Sequence, residues 1–214
     1  MTEEGPYHLR GDVLAIHRAI GHFITAFASV DLSLRNGIAR FFAAAENPDR
    51  GLDHFQMNAS TGLLDILLDR MTAGRLQSAF LIMSSAITDL DEEDREVRDV
   101  LGIMLQHFVE LRNNIAHATW DVGWTDVETG EAVPPTARVV RVSKDGPRSA
   151  LLDSLDAETI GREANGLHTL DRSVRAYAES CLHLRSGNEE QRPGIFLKVV
   201  QGPIGRIVVP SADN

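Results

Sequence analysis

The segment DEEDREVRDVLGIMLQHFVELRNNIAHATW, from Asp91 to Trp120, is predicted to form the long amphipathic helix around which the rest of the chain is arranged. Its apolar residues recur at three- and four-residue spacing, as on the buried face of a helix. They are Val97, Val100, Leu101, Met104, Phe108, Leu111 and Ile115. Acidic residues open the segment and complement the positive end of a helix dipole, so they need no metal or catalytic explanation.

The last ten residues of this segment, LRNNIAHATW (111–120), place three polar side chains away from the apolar stripe. On a helix that advances about 100° per residue, Arg112 lies about 80° from Met104, Asn113 about 180° and His117 about 220°. An arginine, an amide and an imidazole are therefore predicted to share a face that meets solvent, a ligand or another subunit.

The composition is that of an ordinary globular protein. With 43% hydrophobic and 24% charged residues, we expect residues 1–214 to form a single domain. No apolar run approaches the roughly 20 residues that span a bilayer, and the first ten residues lack the basic and apolar regions of a secretory signal. The single Cys181 excludes an internal disulfide and is predicted to be a packed core thiol. We expect a cytoplasmic protein that binds no membrane.

The charge bears on the class of partner. A formal net charge of −10 argues against broad electrostatic capture of nucleic acid, which needs a basic surface. One small, locally basic cleft is still compatible with this charge.

Three helices are predicted before Asp91. The first runs from Gly11 to Ala45, with Asp12 as its cap, and we expect Gly21 and Gly37 to permit a close helix crossing. Its apolar stripe comprises Val13, Ile16, Ile20, Phe23, Phe27, Val30, Leu34, Ile38 and Phe41. This long helix is the expected antiparallel partner of the helix that begins near Asp91.

The second and third helices are shorter. The second begins at Ser60 or Thr61 and ends near Met71; it is apolar nearly all round and is therefore predicted to lie buried at the centre. The third covers 75–89, and its apolar positions are Leu76, Phe80, Ile82, Met83, Ala86 and Ile87.

The pattern changes after Trp120. Residues 120–147 are predicted to form an inserted β-hairpin, with strands over 120–127 and 137–142 and a turn at 144–147. Trp120 and Trp124 share a face of the first strand, and we expect them to cover the end of the helical core. A closing helix follows over 157–186, and 194–210 forms a small hairpin or a docked arm. The expected fold is mainly α: an antiparallel helical bundle over 11–120 and 157–186, with a small hairpin insertion and a β-like tail.

Common enzyme signatures are absent from the sequence. It contains no P-loop, no Gly-rich dinucleotide turn and no G-x-S-x-G elbow. His-x-x-x-His and Cys-x-x-Cys metal spacings are also missing. His107 and Glu110 lie one turn apart near Asn114, but no second pair accompanies them, so we predict neither a metal nor a cofactor.

The RNNIAH segment (112–117), followed by a small residue and Trp120, resembles the HEPN superfamily of helical nucleases and nucleotide-binding domains. The motif of that superfamily is an arginine, a polar residue and a histidine after four to six positions, near the end of a bundle helix. The resemblance is tight over 111–120. It extends loosely over 11–120 and to the closing helix.

The resemblance implies a metal-independent endoribonuclease, with a toxin or defence role, that acts as a homodimer with paired motifs facing each other. Its substrate would be RNA, and an antitoxin protein is a further expected partner. Of the motif side chains, His117 alone exchanges protons near neutral pH, so it is the expected base for the ribose 2′-hydroxyl. Arg112 would hold the phosphate by a forked contact, and Asn113 would orient the imidazole or bind the phosphate. Thr119 stands where some family toxins carry a modified tyrosine, so that form of regulation is not implied.

Three alternatives stay open. The module binds a nucleotide or a protein partner without turnover. The protein is a helical scaffold that self-associates through Ile103 and Leu105, two apolar residues outside the predicted stripe. Finally, Arg112 and His117 merely complement the dipole at the end of the helix, with His117 capping it beneath Trp120.

Overall fold

The computed structural model describes residues 11–46, 64, 66–87, 90–143, 146–151, 155–185, 197–202 and 205–210. Of these residues 73% are helical, as the sequence pattern predicts. The helices are α1 (Gly11–Glu46), a short α2 (66–69), α3 (Ala73–Ile87), α4 (Glu92–His117) and α5 (Ala157–Arg185). The strands are β1 (Thr119–Asp121), β2 (Thr136–Ser143), β3 (Gly146–Leu151), β4 (Leu197–Gly202) and β5 (Gly205–Pro210).

The chain folds as two compact units. Unit 1 comprises Met1–Ala26 and Glu110–Gly166, and unit 2 comprises Phe27–Val109 and Leu167–Asn214. Helices α1, α4 and α5 each contribute residues to both units.

Helix α1 has the bounds that its apolar stripe predicts, to within one residue at its end. It begins at Gly11, so Asp12 lies inside the first turn instead of capping the helix from outside, and the carboxylate of Asp12 accepts the N–H of Val13 at 2.9 Å. The side chains of Ile20 and Phe27 are half-buried. The other members of the stripe are buried, and Ala19, Ala26 and Ala39, which the stripe did not include, are buried with them.

The length and composition of α1 correct one sequence-based expectation. Between Asp12 and Ala45 this helix is long and apolar enough to cross a membrane, although no continuous apolar run predicts it. Alanine residues between the stripe positions raise its average hydropathy. A core helix passes the same test, and 39% of the apolar window is buried.

In unit 2, helices α1 and α5 run in the same direction. Ser33 donates a hydrogen bond to Asp171 at 2.6 Å, and Arg40, further along α1, forms a forked ion pair with Glu179, further along α5. Arg40 holds the pKa of the Glu179 carboxyl below its usual range. The predicted antiparallel partner of α1 was α4, and the sequence made no prediction for the pair of α1 with α5. Helices α3 and α4 are antiparallel, because Gln77 donates to the carbonyl of Gly102 while Ser85 accepts from Arg98.

The described part of α2 is not buried at the centre, contrary to the prediction. Ile66 is 58% exposed and Leu67 is similarly exposed, whereas Leu68 is buried. The segment presents one apolar residue to the core, and Asp69 forms an ion pair with Arg35 of α1 at 3.0 Å. The predicted start of this helix, at Ser60 or Thr61, lies outside the described residues.

Helices α3 and α4 bury different parts of their circumference from those that the sequence predicted. Ile82 of α3 is exposed although it belongs to the predicted stripe, and residues 88–89 lie outside the described chain. Helix α4 is capped by Asp91, whose carboxylate accepts the N–H of Asp94 at 2.8 Å. Leu105, predicted to lie outside the stripe, is 2% exposed, whereas Ile103 is exposed as predicted. About half the circumference of α4 therefore faces the core. Because Leu105 is buried within the chain, it is not exposed for self-association.

The insertion after α4 is a three-stranded antiparallel sheet in the order β1-β2-β3, one strand more than predicted. The pairing of β1 with β2 matches the predicted hairpin, with Trp120 opposite Ala137. Strand β3 was missed because GPRSAL lacks alternation, and its Pro147 is tolerated because β3 lies at the edge. Gly146 and Pro147, predicted as turn residues, belong to this strand.

Helix α5 confirms the predicted closing helix. Asp156 caps it, accepting the N–H of Thr159 at 2.7 Å, and this hydrogen bond lowers the pKa of the Asp156 carboxyl. Cys181 is buried, as expected for a packed core thiol. Burial raises the pKa of Tyr177, whose hydroxyl lies 3.5 Å from that of Ser84.

The tail forms the β4-β5 hairpin and docks on α4 and α5 within unit 2. Val208 of β5 is fully buried; its N–H donates to the thioether of Met104 at 3.1 Å, and its carbonyl accepts the hydroxyl of Ser173 at 2.8 Å. Arg206 and Glu96 form an ion pair at the surface. The buried backbone groups of the strand are thus satisfied by side chains of the helices.

We expect Ser173→Ala to lower the free energy of unfolding by about 1 kcal/mol, because the buried carbonyl of Val208 loses its donor. Urea unfolding measures the change. Ser78→Ala is the matched control, since the Ser78 hydroxyl is exposed and bonds only a carbonyl of its own helix, Gly74. Equal stability of the two variants would contradict the proposed anchoring of the hairpin.

Candidate active site

The residues singled out by the motif lie at the C-terminal end of α4, all within unit 1. His117 is the last residue of the helix. Asn113 and His117 are exposed, as predicted, whereas Arg112 is half-buried. The sequence therefore predicted correctly that the amide and the imidazole leave the core, and it overestimated the exposure of the guanidinium.

A hydrogen bond joins the first two motif residues. Arg112 Nη1 donates to Asn113 Oδ1 at 3.1 Å. Because the amide oxygen faces the guanidinium, the amide N–H₂ group of Asn113 is left to donate to an acceptor such as a phosphate oxygen. Arg112 forms no ion pair with another described residue, so its charge is not neutralised within the described chain.

Asn113 and His117 lie on one face of the helix, whereas Arg112 and His117 do not. Four residues bring side chains to within about 40° around the axis, and five separate them by about 140° with a rise of roughly 7.5 Å. The helix positions of Asn113 and His117 are therefore adjacent, and the guanidinium of Arg112 contacts this face through its hydrogen bond to Asn113.

Trp120, not His117, caps the end of α4. The indole Nε1 of half-buried Trp120 donates to the carbonyl of Ile115 at 3.3 Å. The exposed His117 makes no hydrogen bond or ion pair with any residue in the described part of the chain. The alternative in which His117 caps the helix beneath Trp120 is therefore wrong.

Glu110 shares this exposed face of α4, although the sequence analysis did not connect it with the motif. It lies three residues before Asn113 and seven before His117, a spacing that places all three on one exposed stripe of α4. That spacing was readable from the sequence, but the acidic side chain does not belong to the motif. Its charge weakens phosphate binding at that end of the stripe, so the expected phosphate contact lies toward Asn113 and His117.

Trp124 does not cover the helical core, contrary to the prediction. It is 64% exposed and lies in the loop after β1, beyond the three residues that pair with β2. Of the two tryptophans, Trp120 covers the end of the helix and Trp124 does not. Most of the Trp124 side chain is therefore exposed to solvent.

Metal ligands do not cluster in the part of the chain that the structure describes. Groups of three or more His, Cys, Asp or Glu side chains able to hold an ion are not found among those residues. His107 and Glu110 thus remain a pair without a third ligand there. No protein-family model matches the chain, and no curated protein or solved structure matches it either.

Proposed function

We propose that the protein is a metal-independent endoribonuclease of HEPN type, with a toxin or defence role in the cytoplasm, which cleaves RNA at a dimeric site. The observation that carries the proposal is the exposed pair Asn113 and His117, one turn apart at the end of α4, with the guanidinium of Arg112 bonded to Asn113. The pair supplies a proton acceptor and a phosphate ligand to a solvent-facing surface.

The chemistry follows from these groups. An imidazole removes the proton of the ribose 2′-hydroxyl, and the 2′-oxygen attacks the adjacent phosphorus. The bond from phosphorus to the 5′-oxygen breaks, and a protonated imidazole donates to that oxygen. The products are a 2′,3′-cyclic phosphate and a 5′-hydroxyl. Arg112 and Asn113 stabilise the negative charge on the phosphorane, which is largest in the transition state.

The divergence of Arg112 and His117 on one helix supports a site assembled from two copies. Because about 140° separates the two positions around the helix axis, the imidazole of a second copy can approach the guanidinium as readily as the imidazole of the same chain can. The imidazole that accepts the 2′-hydroxyl proton then returns a proton to the leaving 5′-oxygen, so each site needs one guanidinium and one imidazole. A homodimer is therefore part of the proposal.

The test is cleavage of a labelled RNA by purified protein in excess chelator. We expect cleavage with a 2′,3′-cyclic phosphate terminus, and no cleavage where the ribose at the cut site is replaced by 2′-deoxyribose. Cleavage of the deoxy substrate would contradict 2′-hydroxyl attack. Loss of all activity in chelator would contradict the metal-independent mechanism.

A non-catalytic module that binds a nucleotide or a protein is the second candidate. It is favoured by the half-buried position of Arg112 and its separation from His117, which in a single copy suit binding better than catalysis. It predicts binding without turnover, weakened in Arg112→Ala.

A further inference from the structure

The loop between β1 and β2 forms an ordered finger, residues 124–133, which extends from unit 1. Thr125 and Ala132 form a β-bridge, and the N–H of Val133 donates to the carbonyl of Trp124 at 2.9 Å. Nearer the tip, the N–H of Asp126 donates to the carbonyl of Glu131 at 2.8 Å. The backbone of the finger is therefore held by its own hydrogen bonds.

The tip is fixed by one carboxylate and one glycine. Asp126 Oδ1 accepts the N–H groups of Glu128 and Thr129 at 2.8 and 2.9 Å. These hydrogen bonds hold the pKa of the Asp126 carboxyl below its usual range. Gly130 has a φ of 69°, a left-handed conformation that a side chain disfavours. A surface with such a preset backbone loses little conformational entropy on binding.

This rigid finger presents apolar side chains to solvent. Trp124 is 64% exposed, Val127 is 99% exposed, and Val133 is also exposed. A large aromatic residue held on a preset backbone is typical of the residues that dominate binding energy at protein interfaces. Loops that serve only as connections carry polar turn residues at such positions.

The same finger is acidic. Asp126, Glu128 and Glu131 surround the apolar residues, and the sequence from Ala118 to Ala137 contains no Lys, Arg or His. Asp121 lies at the base of the finger and forms an ion pair with Arg138 at 3.3 Å, so we do not include its charge among the carboxylates that attract a partner. Phosphate backbones and anionic membranes are repelled by this charge, whereas a basic protein surface is attracted.

We propose that the finger docks a basic protein partner, a Lys- or Arg-rich segment with an apolar surface that receives Trp124 and Val127. The apolar side chains would supply the contact area with the partner. The three carboxylates would orient the partner and raise the association rate. A second copy of this chain fits poorly, because it carries a net charge of −10. This interaction does not depend on RNA cleavage.

Binding to four synthetic peptides of equal length tests the proposal. One alternates Lys and Leu, the second Glu and Leu, the third Gln and Leu, and the fourth Lys and Gln. Fluorescence anisotropy at low and high salt measures the affinity. We expect only the Lys/Leu peptide to bind well, with about tenfold weaker binding to Trp124→Ala. Glu128→Gln combined with Glu131→Gln reduces both the affinity and its salt dependence, and leaves Asp126 to hold the turn.

Matched controls separate the finger from general attraction between an acidic protein and a cation. Ile82→Ala removes an equally exposed apolar side chain elsewhere, and Glu92→Gln with Glu93→Gln removes two exposed carboxylates from the start of α4. Both are expected to bind like the unchanged protein. Equal weakening by finger and control variants, equal binding of the Glu/Leu peptide, or no binding at all would overturn the proposal. Self-association that requires Trp124, measured by sedimentation, would overturn it in favour of a second copy.

Discussion

His117→Ala is expected to reduce RNA cleavage by about 10²- to 10⁴-fold, because the imidazole is the proposed general base for the ribose 2′-hydroxyl. The side chain is exposed at the last residue of α4 and bonds no other described residue. Removing it therefore leaves folding intact, and the unfolding temperature is expected to stay unchanged. Initial cleavage rates and thermal unfolding measure the two quantities.

His17→Ala is the control for this variant, since His17 is an exposed histidine of unit 1 outside the motif. We expect it to cleave RNA like the unchanged protein. Retained cleavage in His117→Ala, or an equal loss in His17→Ala, would refute the assignment of the base.

Mixing two inactive variants tests whether each site takes its groups from two chains. Arg112→Ala and His117→Ala proteins are each expected to be inactive, and mixing them restores part of the activity if each site takes its groups from two chains. A heterodimer then contains one site with an intact guanidinium and an intact imidazole. No recovery on mixing, with exchange of subunits confirmed, would show that the two groups act within one chain.

Gly37→Ala is expected to lower the free energy of unfolding by about 1 kcal/mol, the net of overpacking and of the higher helix propensity of alanine. A Cβ atom at Gly37 would lie 2.5 Å from Cε2 of Phe80, well inside van der Waals contact. The Phe80 ring cannot move away easily, because it is fully buried and packs 5.4 Å from the ring of Phe41 and 6.1 Å from that of Tyr177. Overpacking of about 1–3 kcal/mol exceeds the roughly 1 kcal/mol that alanine contributes to a helix. Urea unfolding measures the difference.

Gly21→Ala is the matched control on the same helix. No described atom lies within 4 Å of a Cβ there, so we expect up to about 1 kcal/mol of stabilisation. The double variant Phe80→Leu with Gly37→Ala is expected to lose less stability than the sum of the losses in the two single variants. The leucine side chain is shorter than phenylalanine and does not clash with the added Cβ atom. Additivity, or equal effects at the two glycines, would contradict the close crossing.

Hydrophobic periodicity predicted the helices because burial of one face is a local property of the sequence. The bounds of α1 and α5 follow from stripes of three- and four-residue spacing, and the acidic start of α4 follows from the dipole and the Asp91 cap. The short tail hairpin was also readable, since two apolar runs flank Gly202 and Gly205. The motif placed Asn113 and His117 on an exposed face for the same reason: angular position on a single helix needs no tertiary information.

The errors arose where burial depends on what a helix or strand packs against. Leu105 is core because α4 packs over half its circumference, whereas Ile66 is exposed because α2 presents a single face. Strand β3 forms only because β2 offers it an edge.

The sequence by itself determined the long helices and the exposed pair at the end of α4, since these depend on interactions within a few residues. Tertiary structure alone decided which distant partners meet. The buried hydrogen bond from Ser33 to Asp171 joins residues 138 positions apart, and Val208 reaches Met104 and Ser173 from the tail. Local patterns record that a side chain is polar or apolar, but not which other element satisfies it, because that choice is made by the packing of the whole chain.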